Sequence, residues 1–126
     1  MDLHGNGLSP AQWSVMECLW EAGSLTGREA TDLLEEKMGW NRSTTLTLLR
    51  RMEEKGFVKS VAKSGAKTYF PVLRREDAAL QETESFLQRV YHGSLSMLVS
   101  AMTHKETLEK EEIEALHKLL DEMEGK

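Results

Sequence analysis

Cysteine is nearly missing from this chain: Cys18 is the single thiol among 126 residues. One thiol cannot close an internal disulfide or build a thiolate metal cluster, and it fits a reducing compartment. No apolar run is long enough to span a bilayer, and the amino terminus, MDLHGNGLSPAQW, has no basic segment followed by an apolar one. The chain is therefore expected in the cytoplasm, without direct membrane binding. A glycine-rich phosphate loop, a nucleophile elbow and a histidine placed to join a serine to a carboxylate are all missing too, so an enzymatic role has little support. The four histidines, His4, His92, His104 and His117, are widely spaced, and no two share a helix face at i, i+3 or i+4. Neither a metal site nor a cofactor is expected from them.

What is present reads as an ordinary folded protein, with 40% hydrophobic and 29% charged residues and a length suited to one compact globule plus a tail. The formal net charge of −5 conceals segregation. From Lys37 to Arg75 ten basic residues face two acids, Glu53 and Glu54, an excess of eight positive charges. From Glu76 onward twelve acids face five bases, an excess of seven negative charges. A polyanion would therefore bind the middle of the chain.

Local signals divide the first half into short helices. LSPAQW is a complete helix start, with Ser9 as N-cap, Pro10 in the first turn, Gln12 closing a capping box and Leu8 able to staple against Trp13. Trp13, Met16, Leu19 and Trp20 give this helix a wide apolar stripe, and Gly23 supplies its stop. Cys18, among Val15, Leu19 and Ala22, reads as an inert buried thiol. LTGREA repeats the logic with Thr26 and Glu29, opening a second helix toward Lys37. Asn41 caps a third, which Gly56 ends. FVKSVAKSGAKTYFPV then predicts two strands joined near Ser64 and Gly65, with lysines around the tip.

Helix, helix, helix and basic hairpin is the order of a winged helix-turn-helix domain. The fold expected is mainly α with a small β-hairpin: a winged-helix DNA-binding domain over residues 1–73, then a helical dimerisation domain over 74–126. The later helices, bent near Gly93, carry Phe86, Val90, Met97, Leu98, Met102, Ile113, Leu116 and Leu120. These apolar positions are too few to close a core alone and call for a partner chain or the first domain.

On the third helix, Thr45, Leu48, Leu49 and Met52 share one face. Ser43, Thr44, Thr47, Arg50 and Arg51 fall largely outside it. A helix fits the major groove, where Thr44 and Thr47 suit close approach to bases and Arg50 and Arg51 suit phosphate or guanine. Ser43 could reach a base or phosphate, and Arg42 and Lys55 suit the phosphate rim. Lys63 and Lys67 on the hairpin fit either phosphate contact or the usual protection of an exposed edge. Trp40 and Tyr69 read as packing residues.

The run from Trp40 through Thr44, Thr47, Arg51, Lys55, Gly56 and Val58, then Gly65, Tyr69 and Pro71, then FLQRVYHGSLSMLVSAM and EEIEALHKLL, resembles the penicillinase repressor family (BlaI/MecI/CopY). The likeness extends from LSPAQWSVMECLW to the last helix. It implies a homodimer that reads a palindromic operator in double-stranded DNA through two winged helices and represses transcription, with the carboxy-terminal helices as the dimer interface. It carries DNA contact onto Thr44, Thr47 and Arg51, with Arg42, Ser43 and Arg50 beside them. In beta-lactam-responsive members a membrane sensor protease system leads to cleavage at an Asn-Phe bond in the dimerisation helix. Ala101 and Met102 occupy the matching positions here, so proteolytic derepression is an open expectation. The cysteine-rich tail of the copper-responsive members is missing. Two other readings stand beside this one: a winged-helix adaptor whose basic block docks an acidic protein, and a winged-helix regulator of another family controlled by a small ligand.

Overall fold

In the computed structural model, residues 7–104 and 108–125 are described. The elements follow the order α1 (Pro10–Ala22), β1 (Leu25–Thr26), α2 (Gly27–Met38), α3 (Arg42–Glu54), β2 (Val58–Lys63), β3 (Ala66–Pro71), α4 (Arg75–Tyr91), α5 (Leu95–His104) and α6 (Lys110–Met123). This is a winged helix-turn-helix arrangement followed by further helices. His4 lies outside the described residues.

Each of the first three helices starts where a side chain can satisfy a free amide. Ser9 Oγ accepts from the Gln12 amide at 3.1 Å while Gln12 Oε1 accepts from the Ser9 amide at 2.9 Å. Thr26 and Glu29 form the same reciprocal pair at 3.1 and 2.8 Å. Asn41 Oδ1 accepts from the Thr44 amide at 2.8 Å, so α3 begins one residue later, at Arg42. Such a cap contributes about 1 kcal/mol and fixes the register in which a helix presents its faces. α2 ends at Gly39, whose φ of 74° is the left-handed conformation that lets the chain turn toward Trp40 and α3.

The sheet has three strands rather than a lone hairpin, in the order β1-β3-β2. Leu25 pairs with Tyr69 and Thr26 with Thr68, antiparallel. Two residues are too few to leave a period-two signature, which is why β1 has no mark in the sequence. β2 and β3 pair from Val58↔Pro71 to Lys63↔Ala66. The two-residue loop between them places Ser64 and Gly65 at φ of 55° and 82°, the left-handed geometry that tight hairpins require.

The core joins α1, α2, α3 and the sheet: Val15, Met16, Leu19, Leu34, Leu49, Met52 and Val58 are all buried. Each such side chain withdrawn from water contributes roughly 1.5–3 kcal/mol. Trp13 and Trp20 meet edge to face at 5.3 Å on its margin. Trp20 Nε1 donates to the Leu73 carbonyl at 2.9 Å, and the Arg75 guanidinium lies 5.9 Å over the Trp20 ring while Nε meets Glu17 at 3.3 Å. These interactions tie α1 to the start of α4. Ala78, on the first turn of α4, is buried with the same core, and the first compact unit continues through Thr83.

The second compact unit runs from Glu84. Within it α4 stops at His92 and Gly93, with φ of 54° and 87°, and α5 starts at Leu95. Among the described residues, α5 and α6 contain no buried side chain. Phe86, Val90, Met97, Met102, Ile113 and Leu120 are all between 36% and 52% exposed. Leu98 and Leu116 are half-buried.

Candidate nucleic-acid interface

The helix that carries the candidate site is held from behind. Thr45, Leu49 and Met52 have no accessible surface, and Leu46 and Leu48 are partly buried against the same core. Leu46 falls outside the apolar stripe that helical spacing picks out; it packs near Gly27, where a Cβ would sit 3.6 Å from its Cδ2. With that face committed, the opposite one faces solvent: Arg42, Ser43, Thr44, Arg50 and Arg51 are exposed and Thr47 is half-buried. Thr44, Thr47 and Arg51 stand at i, i+3 and i+7, and Ser43, Thr47 and Arg50 at i, i+4 and i+7, so two adjoining rows form one surface. Thirteen residues give α3 a length of roughly 20 Å, enough to lie across a major groove.

That surface is mainly basic, with the exposed Glu54 at its far end, four residues beyond Arg50 and seven beyond Thr47. The first turn of α3 has no acidic residue, so the positive end of the helix dipole is not neutralised where Arg42 and Ser43 sit. Among the described residues, Arg42, Arg50, Arg51, Lys63 and Lys67 form no ion pair; the arginines that do, Arg74 and Arg75, bond Glu76, Asp77 and Glu17. The other acid of α3, half-buried Glu53, turns to the sheet, where its Oε2 accepts from the Ser60 hydroxyl at 2.7 Å.

Lys63 and Lys67 are both exposed near the hairpin tip. The register separates them: Lys63 pairs with Ala66, and Lys67 with Ala62 one position along, so the two lysines stand on opposite faces of the hairpin. Lys67 shares its face with Ser60 and Tyr69, and Lys63 shares its face with Lys59. Trp40 is partly buried and Tyr69 is buried, both packing residues. The Glu53–Ser60 bond leaves no trace in the sequence, because it joins a helix to a strand and follows no local spacing.

The penicillinase repressor model matches residues 8–122, nearly the whole chain. The chain belongs to the penicillinase repressor family. Family relatives include the methicillin resistance regulatory protein MecI of Staphylococcus aureus strain N315, 26% identical over 121 residues, covering 96% of this chain and 98% of that protein. The penicillinase repressor of Bacillus licheniformis is 29% identical over 115 residues, covering 91% and 90%. Among solved structures, the DNA-binding domain of the repressor BlaI superimposes with a TM-score of 0.52 at 26% identity, covering 56% of this chain and 85% of that one. Within this family frame, Ala101 and Met102 fall inside α5, the first half-buried and the second 40% exposed. Burial also pushes the Cys18 thiol above its ordinary value of 9.0, against the opposing pull of Lys37, and the neighbouring Glu21 and Glu17 add to the rise.

Proposed function

We propose that this protein is a transcriptional repressor that binds a palindromic operator as a homodimer, residues 1–73 reading DNA and residues 74–126 pairing the two copies. The observation that carries the reading is the exposed face of α3, where Ser43, Thr44, Thr47, Arg50 and Arg51 gather hydroxyls and guanidinium groups beside a basic hairpin. Hydroxyls and guanidinium match the acceptors and thymine methyls of the major groove, and Arg42, Lys63 and Lys67 supply phosphate contacts around them. The similarity to MecI and to the penicillinase repressors supports repression as the outcome.

Dimerisation is supported by the apolar residues that α4, α5 and α6 leave in water, Phe86, Val90, Met97, Met102, Ile113 and Leu120 among them. Pairing two half-site readers makes the second binding event intramolecular, so affinity collapses when the dimer is broken. Cleavage at Ala101–Met102 by a protease under a membrane sensor would part α6 from the rest and so release the operator.

The test is a fluorescence-anisotropy titration of the purified chain against the DNA upstream of its own gene, with scrambled DNA of equal length, at two salt concentrations. Binding to the native fragment about a hundredfold tighter or more supports the repressor reading. Equal, salt-labile binding to both would overturn it for this DNA and favour the adaptor.

A further inference from the structure

The outer half of the wing is a two-stranded ribbon. β1 supports β3 only at Thr68 and Tyr69, and residues 61–67 are all exposed. Such a ribbon has little rigidity of its own, so something at its base must aim it. Ser60 is the last partly buried residue of β2, and its hydroxyl donates to Glu53 Oε2, on the last turn of α3, at 2.7 Å. The bond is charge-assisted, which makes it stronger than a neutral hydroxyl pair. Ser60 pairs with Tyr69 and Ala62 with Lys67. Residues two apart on a strand point to one side, so Ser60 and Lys67 lie on the same face of the ribbon.

We infer that Glu53 is a positioning residue for DNA binding: through Ser60 it fixes the wing against α3, so that Lys67 meets phosphate while α3 lies in the groove. Glu53 itself touches no DNA in this arrangement, and its carboxylate would be repelled by phosphate if it did. The inference rests on the DNA-binding reading given above. Of the two acids that end α3, half-buried Glu53 directs its charge to the strand, whereas Glu54 is exposed and enters no ion pair among the described residues.

A mutant cycle separates aiming from charge and from folding. Glu53→Ala and Glu53→Gln remove the same negative charge, but glutamine keeps an acceptor for Ser60; Ser60→Ala removes the bond and leaves the charge. Lys67→Ala is placed in each background and in the native chain, with operator affinity read at several salt concentrations and thermal unfolding checked in parallel. In the native and Glu53→Gln chains, Lys67→Ala should weaken binding about fivefold and make the slope of log affinity against log salt shallower by about 0.9, the value for a single phosphate. In the Glu53→Ala and Ser60→Ala chains it should change affinity by less than about twofold, because the wing no longer has its aim. An equal effect of Lys67→Ala in every background, or none in the native chain, overturns the inference while leaving operator binding by α3 intact. Failure of the native chain to prefer operator over scrambled DNA removes the DNA-binding reading and the inference with it.

Discussion

Thr45 offers a sharp test of how α3 divides into a buried and a reading face. Its side chain has no accessible surface, and its Oγ1 has no hydrogen-bond partner among the described residues. A hydroxyl buried without a partner costs roughly 1–3 kcal/mol on mutational scales. Thr45→Val replaces that hydroxyl with a methyl of nearly the same volume, and the two residues have similar helix propensities, so little offsets the gain. The variant should be more stable by about 1–2 kcal/mol. For a unit of this size each kcal/mol corresponds to about 4–8 °C in Tm. The assay is urea unfolding followed by circular dichroism, at one fixed protein concentration because dimerisation would shift the midpoint. Operator affinity should stay within about twofold, since Thr45 lies on the face away from Thr44, Thr47 and Arg51. A loss of about 1 kcal/mol or more would show that the hydroxyl is satisfied in solution. A large change in affinity would refute the separation of the two faces.

Other substitutions probe the remaining links. Arg51→Ala and Thr47→Ala should each weaken operator binding about tenfold or more with sedimentation of the dimer unchanged, and full affinity in both would dismiss α3 as the reading element. Leu98→Asp and Leu116→Asp should yield monomers by sedimentation, whereas persistent dimers would move the interface elsewhere. Leu49→Ala, at a position with no exposure, should cost about 2–5 kcal/mol in denaturant unfolding; a smaller loss would mean the core collapses to fill the space. Cys18 should be alkylated far more slowly in the native chain than in denaturant at about pH 8. Because folding raises its pKa above 9.0, the unfolded chain ionises first, so stability is unaffected below that pH and falls as pH climbs through it toward the folded value. A Cys18→Ala chain should lack that alkaline component.

The helix starts were legible because capping is local chemistry: Ser9 with Gln12, Thr26 with Glu29, and Asn41 with Thr44 lie three residues apart. The hairpin was legible for the same reason, since Ser64 and Gly65 tolerate the backbone the turn demands. Burial of Thr45, Leu49 and Met52 followed from helical spacing, while Leu48 is only partly buried and Leu46 contributes without fitting the stripe. β1 was too short to announce itself. The junction was harder still: the Trp20 bond to the Leu73 carbonyl joins residues 53 positions apart, and with the burial of Ala78 it carries the first compact unit on to Thr83. Arg50, Arg51, Lys63 and Lys67 are all exposed. Their separation onto α3 and onto opposite faces of the hairpin depends on pairing register, which a single strand does not specify. The bond from Ser60 to Glu53 depends on tertiary packing in the same way.

The most direct test is a hydroxyl-radical footprint of the native chain on its upstream DNA, repeated with Arg51→Ala. Two protected half-sites are expected, related by a dyad and separated by one helical turn, about 10 base pairs, or a whole multiple of it, with the variant needing about tenfold more protein or more to protect either. A single unpaired footprint, protection spread without regard to sequence, or a pattern unchanged by Arg51→Ala would contradict it.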